Sequence, residues 1–142
     1  MKKYLSLIKF SHTIFALPFA VIGFFLAYHE SNISYLTFIY VILCMVFARS
    51  AAMAFNRYID RDIDTINPRT SEIREIPSKK INPSSALKFV ILNSILFVIT
   101  TFFINQLCFL LSPIALIIIL GYSYTKRFTF LCHFVLGIGL SL

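Results

Sequence analysis

Apolar residues in this chain form four long runs that are separated by short polar stretches. The runs are Thr13–Tyr28, Ile33–Phe55, Ala86–Ile104 and Leu107–Tyr124. A helix that crosses the hydrocarbon core of a bilayer needs about 20 mostly apolar residues. Lipid offers no hydrogen-bond partner to exposed backbone groups, and none of the runs alternates as a barrel strand would. The pattern therefore predicts an all-α, multi-helix transmembrane bundle with about four complete membrane helices.

A fifth apolar run starts at Phe130 and continues to Leu142, where the sequence ends. At a rise of about 1.5 Å per residue it is about 20 Å long, short of the roughly 30 Å hydrocarbon core. We interpret it as the start of a fifth membrane helix. Residues 1–142 are therefore expected to form a single membrane domain that is the N-terminal part of a longer protein.

The first residues have some features of a secretory signal, because Lys2 and Lys3 precede apolar residues. Lys9 and His12 interrupt the short apolar segment, however, and the longer run that begins at Thr13 follows directly. We interpret this part of the chain as an amphipathic lead-in to a membrane helix that is retained.

The composition supports a membrane protein rather than a soluble domain. Hydrophobic residues make up 58% of the chain and charged residues only 13%, whereas about a quarter of the residues of a soluble domain are charged. Cys44, Cys108 and Cys132 each lie inside an apolar run and have no spacing typical of a metal site or a disulfide. We interpret them as small apolar side chains.

The basic residues lie almost entirely on alternate connections between the runs. The connections on one side contain, or are flanked by, Lys2, Lys3, Lys9, Arg57, Arg61, Arg69, Arg74, Lys79, Lys80, Lys88, Lys126 and Arg127, whereas the two opposite connections contain no Lys or Arg. This asymmetry predicts a multi-pass protein of the cell inner (plasma) membrane whose basic connections are cytoplasmic. The net charge of +7 is explained by this topology in the lipid bilayer, and we expect no nucleic acid partner.

One polar stretch, AFNRYIDRDIDTINPRT, follows the second run and has the spacing of a helical face. Asn56, Asp60 and Asp64 are four residues apart, so on a helix they lie one above the other, about 6 Å apart per step. Arg49 lies two helical turns before Asn56 on the same face. The pattern predicts a row of polar groups that continues from the membrane into the cytoplasmic connection.

Two other charges near this stretch need separate interpretations. Asp62 points roughly away from the row and is expected to be a solvated partner of Arg57 or Arg61. Arg49 lies inside an apolar run, where a charge costs a few kcal/mol and normally marks a functional site. The alternative is that the Arg49 side chain extends to the cytoplasmic headgroups.

Oxygen ligands one turn apart suit Mg²⁺, which is usually held by one or two carboxylates together with substrate phosphates. Two carboxylates alone would repel a diphosphate, whereas carboxylates that hold Mg²⁺ can bind one. The basic loops would add direct contacts to the same anion. The spacing therefore favours a metal-bridged diphosphate site at the membrane surface, and an ordinary solvated loop between two membrane helices is the alternative.

The stretch ARSAAMAFNRYIDRDIDTINPRT closely resembles the first Asp-rich motif of the UbiA superfamily, the intramembrane aromatic prenyltransferases. The family pattern corresponds here to Arg49, Asn56, Asp60, Asp64, Arg69-Thr70 and Ile76-Pro77. IKFSHTIFALPFA and YSYTKRFTFLCHFVLG also look like the family's first helix and its fourth-to-fifth helix turn. One departure is Arg57, where many members have Asp.

The resemblance implies a fold of about nine membrane helices in which a second Asp-rich motif faces the first across a central cavity. That motif and the later helices are absent from residues 1–142. We therefore expect activity to require C-terminal helices beyond this sequence.

By resemblance, the intact enzyme transfers a polyprenyl group from polyprenyl diphosphate to the ring of an aromatic acid acceptor, 4-hydroxybenzoate, in ubiquinone or menaquinone biosynthesis. Its implied cofactor is Mg²⁺. The residues implied for the site are Asp60 and Asp64 as catalytic groups, Asn56, Asp60 and Asp64 as metal ligands, and Arg49, Arg69, Lys126 and Arg127 as diphosphate contacts.

Three alternatives remain open at this point. The acceptor can instead be a dihydroxynaphthoate of menaquinone synthesis. The chain can be an inactive remnant, or one part of a split enzyme whose partner is a separate C-terminal half. A cation channel or transporter fragment would use the aspartates for permeating ions, but the third and fourth runs offer mainly Asn93, Thr100 and Thr101 as polar lining.

Overall fold

The computed structural model of the protein describes residues 2–30, 34–128, 134 and 137, and this part of the chain is helical and contains no strand. Its helices are α1 (Lys2–Leu7), α2 (Phe10–Glu30), α3 (Tyr35–Ile59), α4 (Arg61–Ile66), α5 (Pro68–Ser71), α6 (Pro83–Ile104) and α7 (Gln106–Phe128). The predicted all-α class is confirmed. The predicted fifth run lies outside the described residues except for positions 134 and 137.

Three of the described helices are long and apolar enough to cross a membrane. They are α3, α6 and the Gln106–Thr125 part of α7, with mean hydropathies of 2.0, 2.2 and 2.1. In α2 the described apolar stretch is Thr13–Tyr28, which is shorter than the other three. The length and apolarity of these helices indicate an integral membrane protein, with three of the four predicted spans complete by this measure.

Helix α3 is the central element of the bundle, since it contacts α1, α2, α6 and α7. The side chain of Ser34 caps its first turn by accepting a hydrogen bond from the backbone N–H of Leu36 at 3.3 Å. Ala51 and Ala54 of α3 and Ala86 of α6 are completely buried in one cluster. These small side chains let the two helices approach closely, as is typical of membrane bundles.

The outer surface of the bundle is apolar. Phe15, Phe19 and Ile117 are 80%, 77% and 71% exposed, and many other large apolar side chains lie on the same exterior. A contiguous apolar surface of this size is rare on soluble monomers. It suits a protein whose helices face lipid.

The α3–α6 connection, residues 60–82, contains α4 and α5 and is ordered by local caps. Asn67 accepts a hydrogen bond from the backbone N–H of Arg69 at 3.0 Å, and Pro68 begins α5 in the first-turn position that proline favours. Lys79 has a φ of 56°, which reverses the chain shortly before α6 begins at Pro83. The connection is therefore a folded segment rather than an extended link.

The N-terminal helix α1 packs against this connection. Leu7 and Ile8 are 0% and 5% exposed and belong to the same buried cluster as Ile76 and Ile81. The ring of Tyr4 stacks on a phenylalanine of α6 with ring centroids 5.2 Å apart. The predicted amphipathic lead-in thus forms part of the core at the end of the bundle that carries the α3–α6 connection.

Candidate active site

The backbone between α3 and α4 keeps the helical register across the Asp-rich stretch. The N–H of Asp60 donates to the carbonyl of Asn56 at 2.9 Å, and the N–H of Asp64 donates to the carbonyl of Asp60 at 2.9 Å. Asn56, Asp60 and Asp64 therefore follow one another at single-turn intervals along one side of a nearly continuous helix. We call this set the motif face.

The two carboxylates of the motif face are withdrawn from solvent. Asp60 and Asp64 are 8% and 5% exposed. Asp62, by contrast, is exposed and lies with its Oδ1 atom 3.6 Å from Nε of Arg61. The separation between a buried row and a solvated Asp62 agrees with the prediction from the spacing, with Arg61 as the partner.

Helix α7 reaches the motif face through Tyr122. The Nδ2 group of Asn56 donates a hydrogen bond to the hydroxyl oxygen of Tyr122 at 3.0 Å, across 66 residues of sequence. This contact joins the α3 end of the site to the fourth predicted span. It also fixes the orientation of the Asn56 amide relative to the two carboxylates.

Arg74 forms an ion pair with Asp64. Its Nη1 group donates to Oδ2 of Asp64, and the Asp64 carboxylate is buried while Arg74 is partly exposed. The hydroxyl of Thr70 donates to the backbone carbonyl of Asp64 at 2.9 Å. The α3–α6 connection therefore folds back over the motif face and supplies a cation to it.

Arg57 and Glu75 are two charged residues of this region that the sequence did not identify as buried. They are 9% and 8% exposed. The carboxylate of Glu75 accepts a hydrogen bond from the hydroxyl of Ser6. Of the two partners expected for Asp62, Arg61 is the one in contact, whereas Arg57 is buried and interacts electrostatically with Asp60, Asp64 and Glu75.

The four basic residues predicted to contact the diphosphate do not form one cluster among the described side chains. Arg49 is half-buried on α3, and its buried Nε atom has no hydrogen-bond partner in the described part of the chain. Arg69 is exposed on α5. Lys126 and Arg127 belong to the last turns of α7, but their side chains lie outside the described residues.

The donor set of the motif face fits a hard cation that is shared with a phosphate ligand. It offers two carboxylates and one amide, whereas no three His, Cys, Asp or Glu side chains gather into a metal site among the described residues. Mg²⁺ commonly binds in this way, with one or two carboxylates from the protein and the rest from phosphates and water. Asn56, Asp60 and Asp64 are the residues that would hold it.

Two cavities of the described structure lie away from the motif face. One of about 630 Å³ is at the opposite end of the helices, between residues such as Ala27, Ser34 and Asn105. One of about 460 Å³ lies on the outer side of the α3–α6 connection, lined by residues including Arg61 and Lys79. Neither is lined by a residue of the motif face.

Three buried polar residues of α6 hydrogen-bond to the backbone of their own helix. Asn93, Thr100 and Thr101 each donate to a backbone carbonyl three or four residues earlier in α6, at 2.8, 2.6 and 2.7 Å. Each of these side chains therefore uses a donor within its own helix. This arrangement gives no support to the alternative of an ion pathway lined by these side chains.

A family model described as the UbiA prenyltransferase family matches residues 16–142. The chain is 38% identical over 101 residues to a 4-hydroxybenzoate octaprenyltransferase of Vesicomyosocius okutanii subsp. Calyptogena okutanii, which covers 71% of this chain and 37% of that protein. It is 41% identical over 87 residues to a protoheme IX farnesyltransferase of Neorickettsia sennetsu, which covers 61% of this chain and 26% of that one. The chain thus spans well under half the length of these relatives.

The fold is similar to that of a solved structure, the apo structure of a UbiA homolog from Aeropyrum pernix K1. The TM-score is 0.83 with 35% sequence identity, over 92% of this chain and 46% of that one. The helices described above therefore correspond to about half of a larger helical membrane fold.

Proposed function

Because the chain belongs to the UbiA prenyltransferase family, we propose that the whole protein transfers a polyprenyl group from polyprenyl diphosphate to the ring of 4-hydroxybenzoate in quinone biosynthesis. Relatives named 4-hydroxybenzoate octaprenyltransferase support this acceptor. The similarity to a protoheme IX farnesyltransferase means that the acceptor differs among related proteins. A dihydroxynaphthoate is the alternative acceptor.

The observation that carries the proposal is the motif face. Two buried carboxylates one turn apart, with an amide held by Tyr122, provide clustered oxygen ligands at the end of an apolar bundle. Such a site suits a ligand with a charged head and a lipid-soluble tail. The Asp-rich face would bind the diphosphate through a divalent ion, and the apolar helices would accommodate the isoprenoid.

When bound, Mg²⁺ would neutralise the negative charge that develops on the diphosphate as it leaves. Asn56, Asp60 and Asp64 would hold this ion and the diphosphate at the end of α3. In the reaction the allylic C–O bond breaks, a ring carbon of the acceptor forms the new C–C bond, and that carbon loses its proton. The surrounding apolar helices would exclude water from the reacting carbon.

The charge distribution supports placing this site on the cytoplasmic side of the plasma membrane. The motif face and the α3–α6 connection lie at the end of the bundle where the basic residues are concentrated. Basic residues are enriched in cytoplasmic loops. A cysteine-accessibility experiment on exposed position Arg69 in intact cells and in inverted vesicles tests this orientation.

The decisive experiment measures prenyl transfer by the full-length protein in membranes, with polyprenyl diphosphate and either 4-hydroxybenzoate or a dihydroxynaphthoate. Asp60→Asn and Asp64→Asn should each lower turnover about 100-fold or more, since they remove charge that acts on the leaving group. Asp62→Asn is the matched control, because Asp62 is exposed and outside the motif face. Equal turnover in Asp60→Asn and Asp62→Asn would contradict the assignment of the site.

A further inference from the structure

Arg57 is a buried cation beside the motif face to which the mechanism above gives no role. It is 9% exposed. It lies three residues before Asp60 and seven before Asp64, and these spacings bring helical residues to the same side. Since the helical hydrogen bonds continue from Asn56 to Asp64, this relation holds across the junction of α3 and α4.

The Arg57 guanidinium lies among charges but is not paired with any of them. Asp60, Asp64 and Glu75 attract it electrostatically, and Arg74 repels it. Among the described residues the ion pairs of this region are Arg74 with Asp64 and Arg61 with Asp62, and neither includes the Arg57 guanidinium. No Arg57 nitrogen is among the buried side-chain atoms of the described residues that lack a hydrogen-bond partner, so its five donors remain accessible to solvent or to a ligand.

A purely structural role as counter-ion to the motif face does not account for this arrangement. Asp64 already has Arg74 as its partner. Glu75 accepts a hydrogen bond from Ser6, which holds its carboxylate toward α1. An arginine whose only task was neutralisation would be expected within ion-pair distance of one of these carboxylates, as Arg74 is.

The local charge also favours an anion once a divalent cation is present. Asp60, Asp64 and Glu75 contribute three negative charges, and Arg57 and Arg74 contribute two positive ones. The sum is −1, and a divalent ion changes it to +1. The site, which includes the guanidiniums of Arg57 and Arg74, then has a net positive charge, and such a site is suited to bind a diphosphate.

We propose that Arg57 binds the diphosphate of the prenyl donor directly, next to the metal-binding carboxylates. The planar fork of an arginine matches two phosphate oxygens at once, and burial strengthens such a contact. This inference rests on the proposed function, since it assigns a further contact for the same substrate. It adds a substrate-binding residue that comes from the motif helix itself.

The test measures binding of inorganic pyrophosphate to the full-length protein in lipid nanodiscs by calorimetry, with and without Mg²⁺. Arg57→Gln should weaken the Mg²⁺-dependent binding of pyrophosphate about tenfold or more, and Arg57→Lys by a smaller factor, because Lys keeps the charge but not the fork. Arg61→Gln is the matched control and should stay within about twofold, since Arg61 is a more exposed arginine of the same region that pairs with Asp62.

A steady-state measurement on the same variants complements the binding experiment. Arg57→Gln should raise the KM for the prenyl diphosphate and leave the KM for the aromatic acceptor unchanged. If Arg57→Gln does not fold, the pyrophosphate affinity and the KM of the Arg57→Lys variant are compared with those of the wild type instead. Wild-type-like pyrophosphate affinity in the folded Arg57 variants, or no pyrophosphate binding by the wild type, would overturn the inference.

The inference and the proposed function fail in different ways. If prenyl transfer depends on Asp60 but substitution of Arg57 does not change pyrophosphate binding, the proposed function is retained and the role of Arg57 is rejected. Pyrophosphate binding that depends on Arg57, together with no transfer to either aromatic acceptor, would support the anion contact and reject the proposed reaction.

Discussion

The ion pair between Arg74 and Asp64 allows a quantitative prediction about stability. Asp64 is 5% exposed, so removing its partner leaves a buried carboxylate without a counter-ion. Such losses typically cost 3 to 5 kcal/mol when both partners are fully buried. The Arg74 side chain is 27% exposed, so solvent screens part of the interaction. We therefore expect Arg74→Met to lower the free energy of unfolding by about 2 to 3 kcal/mol.

The measurement is reversible unfolding in mixed micelles, followed by circular dichroism at increasing denaturant. A double variant, Arg74→Met with Asp64→Asn, should recover most of the lost stability, because the unpaired charge is then removed as well. Arg61→Met is the control. It breaks the exposed pair with Asp62 and the contacts of Arg61 with the carbonyl and ring of Tyr58, and it should change stability by about 1 kcal/mol or less. A double variant no more stable than Arg74→Met alone would refute the reasoning.

Two further substitutions test contacts that hold the site together. Tyr122→Phe removes the hydrogen bond to Asn56 and should cost about 0.5 to 1.5 kcal/mol in the same unfolding assay, with reduced turnover; unchanged values for both would mean that this contact does not position the amide. Ala54→Leu inserts a large side chain into the completely buried contact of α3 with α6 and should cost about 1 to 3 kcal/mol or more, whereas Ile91→Leu on the exposed side of α6 should be near neutral.

Local patterns predicted the features that depend on neighbours in sequence. Uninterrupted apolar runs identified the helices, because backbone satisfaction in lipid leaves few other structures. The four-residue spacing of Asn56, Asp60 and Asp64 predicted one helical side, and the register is kept because the hydrogen bonds continue through Asp60. The exposed position of Asp62 followed from the same geometry.

The features that sequence could not supply depend on contacts between distant residues. Ser6 and Glu75 are 69 positions apart, and no spacing rule links a hydroxyl near the N terminus to a carboxylate on a later connection. The burial of Arg57 depends on that connection folding back over α3. A charge run is usually solvated, so its composition alone favoured exposure for Arg57 and Glu75, whereas both are buried in the structure.

The packing of α1 has a consequence for the order in which the protein is made. Leu7 and Ile8 leave the ribosome first, yet the residues that enclose them, such as Ile76, Ile81 and Val90, are synthesised about 70 to 80 positions later. Until those residues are synthesised, we expect the short first helix to lie at the bilayer surface with its apolar side in the headgroup layer. We expect the Asp-rich end of α3 to reach its final shape only after α6 has inserted, so that maturation of the site is a late event of biogenesis.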